Sequence, residues 1–264
     1  MRIIVCIKQV PDTTEVRLDP VTNTLIREGI PSIINPDDKS ALEMALKVKD
    51  VKPDTEIIIL SMGPPQAKEA IYEALSMGAD HGILVSDRAF GGADTWATSS
   101  TITGAIKEIG DFDFIFAGRQ AIDGDTAQVG PQIAEHLHIP QVSYAEEVDF
   151  VDEKLVIKRQ FEDRYHYIEI ERQCLITVIS DSIIPRYPSV SSILDAYDKE
   201  IEVFDLERIK DQLDLSNIGL KGSPTKVKKS FPKQAKGTGE VVSELSADEA
   251  AQAILAKLLE NYII

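Results

Sequence analysis

The residues with the most chemistry to offer are crowded into GRQAIDGDTAQVGP, residues 118–131. The stretch follows FDFIFAG, which reads as a buried strand, and precedes QIAEHLH, which reads as a helix. Glycine lets backbone N–H groups approach a phosphate closely, and a helix start offers unpaired N–H groups with a partial positive charge. Gly124 fits that use, as do Gly91 and Gly92 of GGADT, and Arg119 adds a charged fork. Asp123 and Asp125 could instead pair on Mg²⁺, although no third ligand accompanies them. Asp125 with Gln128 also matches a capping box, while Pro131 leaves the first regular turn of the helix open. The plainer alternative is that the aspartates only cap helices and the glycines only turn the chain.

Other chemistries have little support. The sequence contains no G-x-S-x-G, P-loop, H-E-x-x-H or G-x-G-x-x-G pattern. His136 and His138 lie two apart on a helix and point to different faces, while His81 and His166 are solitary. Cys6 and Cys174 sit in apolar runs and read as small buried hydrophobes.

The elements that must position these residues are short apolar runs alternating with helical segments. IIVCI (3–7), EIIIL (56–60), GILV (82–85) and FDFIF (112–116) are continuous apolar stretches, as expected of strands covered on both faces. Helices are expected over 37–50, 65–78 (stopping on Gly78), 94–110 and after 126. Strands separated by helices imply right-handed crossovers and a parallel sheet, hence a doubly wound α/β domain. Ligands of such sheets sit outside the carboxyl ends of the strands. Four segments should meet there: KQVPD (8–12), SMGPP (61–65), GGADT (91–95) and GRQAIDGDT (118–126). One such turn alone favours the plain reading, whereas four on one edge favour a nucleotide-sized ligand.

After Pro140 the pattern changes. Residues 154–162 and 165–171 flank Asp163-Arg164 and read as an antiparallel hairpin, and CLITVIS (174–180) as another buried strand. Lys221, Lys226, Lys228, Lys229, Lys233 and Lys236 lie in a stretch broken by glycine and proline that reads as an extended arm. A last helix begins at SADE, where Ser246 and Glu249 form a capping box. Its apolar stripe (Ala251, Ile254, Leu255, Leu258, Leu259 and Tyr262) must be buried, on its own core or on another subunit. The division expected is an α/β nucleotide-binding domain over 1–183 and a partner-binding loop and arm over 184–264. The formal net charge of −16 argues against nucleic acid. No apolar run approaches the roughly eighteen residues of a membrane span, and MRIIVCIK lacks a signal peptide's features. A soluble, cytoplasmic protein is expected.

The combination of IKQVPD, INPDDKSALEMALKVK, SMGPPQAKEAIYEALSMGADHGI, GRQAIDGDTAQVGPQIAEHLHIPQ and GSPTKV resembles the small (beta) subunit of electron-transfer flavoproteins, in order and over nearly the whole chain. The resemblance implies a Rossmann-like, adenine-nucleotide-binding fold and an obligate heterodimer with an alpha subunit that carries its own FAD. Ordinary members bind AMP at this site. A flavin-bifurcating subgroup holds there the adenylate end of a second FAD, which receives hydride from NADH. N-P-D-D-K at 35–39, and Arg119 with Asp-Gly-Asp, are similar to the second kind. Gly124 removes a side chain from the path of a dinucleotide's pyrophosphate.

Carried over by motif, the nucleotide site comprises Cys6 (through its backbone), Asn35, Pro36, Asp37, Asp38 and Met62. It also takes in the run Arg119, Gln120, Ala121, Ile122, Asp123, Gly124, Asp125, Thr126, Gln128, Val129, Gly130 and Pro131. Gly91, Ala93, Asp94 and Thr95 are candidates for contacts to the flavin or to NADH. IPRYPSVSSILDA (184–196) matches the family's partner-recognition loop, with Val190 as anchor and Arg186, Tyr187 and Ile193 beside it. Asp195, Asp198, Lys199 and Glu200, at and just beyond its end, depart from members with a lysine-rich stretch there. The implied activity is bifurcation of NADH electrons to ferredoxin or flavodoxin and, through the alpha-subunit FAD, to an acyl-CoA dehydrogenase. The alternatives are a non-catalytic AMP-binding subunit and a stand-alone nucleotide sensor.

Overall fold

The computed structural model describes residues 1–12, 31–180, 183–228, 237, 239, 241 and 243–264. Seven parallel strands form most of one sheet: β1 (Arg2–Ile7), β4 (Glu56–Met62), β5 (His81–Val85), β6 (Phe114–Gly118), β7 (Gln141–Val151), β10 (Cys174–Val178) and β11 (Ile201–Phe204). Antiparallel β8 (Lys154–Phe161) and β9 (Arg164–Ile170) extend it, giving the order β11-β5-β4-β1-β6-β10-β7-β8-β9. A two-stranded ribbon, β2 (Gln9–Pro11) with β3 (Ser32–Ile34), lies outside this sheet.

The parallel strands are apolar on both faces because helices cover both. α1 (Pro36–Val51), α2 (Lys68–Met77) and α5 (Val190–Tyr197) pack on one face, around Leu42, Leu46 and Ile71. α3 (Thr95–Ile109), α4 (Val129–Leu137) and α6 (Leu206–Ile209) pack on the other, around Ile102, Ile106 and Ile133. The chain leaves β1 toward β4 and β5, then returns to place β6 on β1's other side. That reversal opens a crevice between the carboxyl ends of β1 and β6.

Several expectations need correction. The strand expected at 112–116 starts two residues later, because Asp113 exchanges its N–H and carboxylate with Arg2 before the ladder begins. The hairpin turns at Glu162-Asp163, since Phe161 pairs with Arg164, and Glu162 takes the left-handed backbone (φ 45°). The helix expected from 65 opens with a turn of 3-10 helix, Pro65–Ala67, and its stop on Gly78 (φ 126°) stands as read.

Met1–Lys228 form one compact unit, so residues 184–228 fold with the sheet and contribute its edge strand β11. Lys229–Ile264 form a second. In it, α8 (Ala247–Glu260) carries the expected capping box between Ser246 and Glu249 and buries none of its residues. Lys229, Lys233 and Lys236 of the expected arm lie outside the described residues. Among the described residues no helix is long and apolar enough to cross a membrane.

Candidate nucleotide site at the β1–β6 crevice

The start of α1 organises the crevice. Pro36 occupies its first turn, where a missing N–H costs nothing. Asn35 precedes it but does not cap the helix. Its side chain reaches across the crevice, donating to the Gln120 carbonyl at 2.8 Å and accepting from Ile122 N at 3.0 Å. Asp38 is buried between the two strand ends and accepts from Lys8 N (2.8 Å) and Gly118 N (2.9 Å). Burial pushes its carboxyl up to about 7, against the pull of those N–H groups. Asp37 accepts from Ser180 N and Gln120 N.

Arg119 lies with Nε 3.3 Å from Asp37 Oδ2. That nitrogen is buried and makes no hydrogen bond, since the carboxylate lies off its N–H direction. Cys6 is buried on β1, and burial, helped by Asp38, pushes its thiol to about 12, so it stays protonated. Met62 ends β4, half-buried.

The capping box expected at Asp125 and Gln128 does not form. Asp125 adopts the left-handed backbone (φ 50°) and its carboxylate accepts from Gln120 Nε2 at 2.9 Å. α4 therefore starts later, at Val129, with Pro131 in its first turn. The Gln128 side chain accepts instead from Thr95 Oγ1 at 3.0 Å, which joins the 91–95 and 118–131 turns. Asp123 and Asp125 face different partners, Lys8 and Gln120.

Asp94 caps α3, accepting from Ala97 N, and its other oxygen accepts from Thr225 N and Oγ1. Partial burial opposes its charge, but these bonds outweigh it and hold the carboxyl below its ordinary range. Ser223 Oγ accepts from Asp94 N. Gly91 and Gly92 are exposed, and Gly91 O accepts from Leu220 N. The GSPTKV segment is thus the clasp on the 91–95 turn, a role its sequence does not announce. Lys8, which the sequence marks only as the first residue of the KQVPD turn, pairs its ammonium with Asp123 at 2.6 Å.

In the segment expected to recognise a partner, Tyr187 and Val190 are 93% and 77% exposed, and Ile193 is partly so. Arg186 is engaged internally. Its N–H and guanidinium hold Glu43, and Nη2 lies 2.6 Å from Asp50. The hydrogen bond to Asp50, then that to Glu43, raises its already high pKa, and the same contact lowers that of Asp50. Arg186→Ala should leave the buried Glu43 without its cation. With Arg186 a third exposed, the expected loss is about 2 kcal/mol, below the full cost of breaking a buried pair. Denaturant unfolding checks the magnitude, and faster proteolysis within 184–197 checks the location.

Residues 22–209 match the family model described as Electron transfer flavoprotein domain. The chain is 56% identical over 264 residues to the Electron transfer flavoprotein subunit beta of Clostridium acetobutylicum, covering 100% of both. It is 52% identical to the Caffeyl-CoA reductase-Etf complex subunit CarD of Acetobacterium woodii, again over 100% of both. It is also 48% identical to the Acryloyl-CoA reductase electron transfer subunit gamma of Anaerotignum propionicum, with 100% of each covered.

Proposed function

This chain belongs to the electron transfer flavoprotein family as a beta subunit, and on that premise we propose that the β1–β6 crevice binds the ADP portion of FAD. A beta subunit implies an alpha subunit, and the two form the heterodimer in which that FAD works. Held by Arg119 and the 91–95 and 118–131 turns, a bound flavin would supply hydride acceptance from NADH and division of the electron pair between ferredoxin or flavodoxin and, through the alpha-subunit FAD, an acyl-CoA dehydrogenase. Relatives named for caffeyl-CoA and acryloyl-CoA reductases support an acyl-CoA partner.

The observation that carries the reading is the exposed turn around Gly124, pinned across the strand ends by Asn35. A Cβ built on Gly124 meets no atom within 4 Å. The donor set fits a diphosphate. Arg119 contributes a guanidinium with one unsatisfied buried nitrogen, and the turns leading into α3 and α4 are joined to each other through Thr95 and Gln128. Cys6 and Met62 provide the apolar strand-end floor, while Tyr187 and, in the first turn of α5, Val190 and Ile193 offer the dehydrogenase an apolar surface beside the Arg186 tether.

The test is a count of cofactors released from the purified heterodimer. Two FAD per heterodimer, with direct reduction by NADH, are expected. One FAD and one AMP, with no reduction by NADH, would overturn the FAD reading in favour of an AMP-binding subunit that scaffolds the alpha-subunit flavin.

A further inference from the structure

Lys8 and Asp123 meet across the crevice, with Nζ 2.6 Å from Oδ1. The backbone on both sides is fixed. Lys8 N donates to Asp38 and Lys8 O accepts from Asn35 N. Asn35 and Asp38 also hold the facing turn, through Gly118, Gln120 and Ile122. What is left to move is the lysine stem, whose side chain is 44% exposed.

Arg119 and Lys8 are the cations that follow directly on β6 and β1. The first has its Nε buried against Asp37. A diphosphate entering here would approach the carboxylates of Asp123 and Asp125, in the exposed part of the turn, and needs a mobile cation. The ammonium end of the pair is 44% exposed and the carboxylate only 16%, so Lys8 is the member that can change partners while Asp123 stays in place.

We propose that Lys8 is a phosphate-binding residue that Asp123 holds in competition: a nucleoside diphosphate draws the ammonium from the carboxylate onto its phosphates. The inference rests on the nucleotide reading above. Lys8 supplies affinity for the phosphates, and Asp123 is the competitor they displace. Adenosine, which has no phosphate, gains nothing from the exchange. The pair therefore selects diphosphate over nucleoside, and its two members act in opposite directions.

The probes are ADP and adenosine, titrated into the heterodimer after removal of its bound adenine nucleotide. Lys8→Met should weaken ADP by about tenfold or more, the loss of one hydrogen bond to a charged group. Asp123→Asn should tighten ADP by roughly threefold or more, because the competing charge is gone. That gain should shrink in the Lys8→Met background. Adenosine affinity should be unchanged in both single variants, which also reports that the pocket is still folded. The proposal is overturned if Asp123→Asn weakens ADP or leaves it unchanged, or if Lys8→Met weakens adenosine as much as ADP. Either result makes the pair a structural latch only. If the unmodified heterodimer binds neither probe, it is the nucleotide reading that fails.

Discussion

Between about pH 4 and about pH 8, Asp38→Asn should gain roughly 4 kcal/mol of folding stability relative to the unmodified chain. The sign follows from the direction of the shift. Burial raises the Asp38 carboxyl from 3.8 in the open chain to about 7 in the fold. The folded chain therefore binds the extra proton between those values, and its stability from this group is fully present below the lower one. It is lost as pH rises through the higher one. A separation of about three pH units at 1.36 kcal/mol each gives the magnitude. Other carboxylates titrate in the same window, but they are common to both proteins, so the difference between the two curves reads Asp38. Asparagine keeps an acceptor for one of Lys8 N and Gly118 N and turns an N–H₂ toward the other, so an offset independent of pH is expected as well. Parallel curves would mean that the carboxylate is hydrated and ionised throughout. The slope bears on function because Asp38 ties the two strands that border the crevice. Any anion bound there would push the carboxyl higher still, so nucleotide binding near neutral pH should be accompanied by proton uptake.

The same crevice shows why some of this protein was legible from its sequence and some was not. IIVCI, EIIIL and GILV are recognisable because a strand covered on both faces has only apolar residues to show. β7 is different: QVSYAEEVDFV mixes buried Val142, Ala145 and Val148 with half-buried Glu146 and exposed Glu147 and Asp149, and only its pairing defines it as a strand. β11 is four residues long, and two of them are exposed on the sheet's edge. The glycine-rich turn was legible because its residue types are unusual at a strand end, whereas N-P-D-D came only through the family resemblance. Their partners were not legible, because each bond is long-range. Asn35 reaches Gln120 and Ile122, Thr225 reaches Asp94, and Lys8 reaches Asp123. Local pattern also misled where tertiary competition won. Asp125 and Gln128 have the spacing of a cap, yet Gln120 and Thr95 claim their side chains.

Two glycines seven letters into and at the head of the same motif should behave oppositely on substitution. A Cβ on Gly118 would lie against the Asp38 carboxylate, 2.6 Å from Asp38 N and 2.7 Å from the Asp37 carbonyl carbon. Two of those contacts are backbone of the first turn of α1, which cannot swing aside as a side chain can. Gly118→Ala must therefore push α1 away from β6, breaking the bond from Gly118 N to Asp38. A loss of about 3 kcal/mol or more is expected, at the upper end for overpacking because a buried hydrogen bond goes too. Gly124 faces open space and its backbone does not require glycine. Gly124→Val should change stability by no more than about 0.5 kcal/mol, as for other unencumbered surface positions. If a pyrophosphate passes in front of it, the branched side chain should nonetheless lower nucleotide affinity about tenfold or more, from an overpacking cost of roughly 1–3 kcal/mol. Denaturant unfolding and nucleotide retention in the heterodimer separate the two effects. A Gly124→Val protein that is stable and keeps its full complement of nucleotide would remove the phosphate path from this turn, because the only requirement for glycine there is the one a ligand would impose.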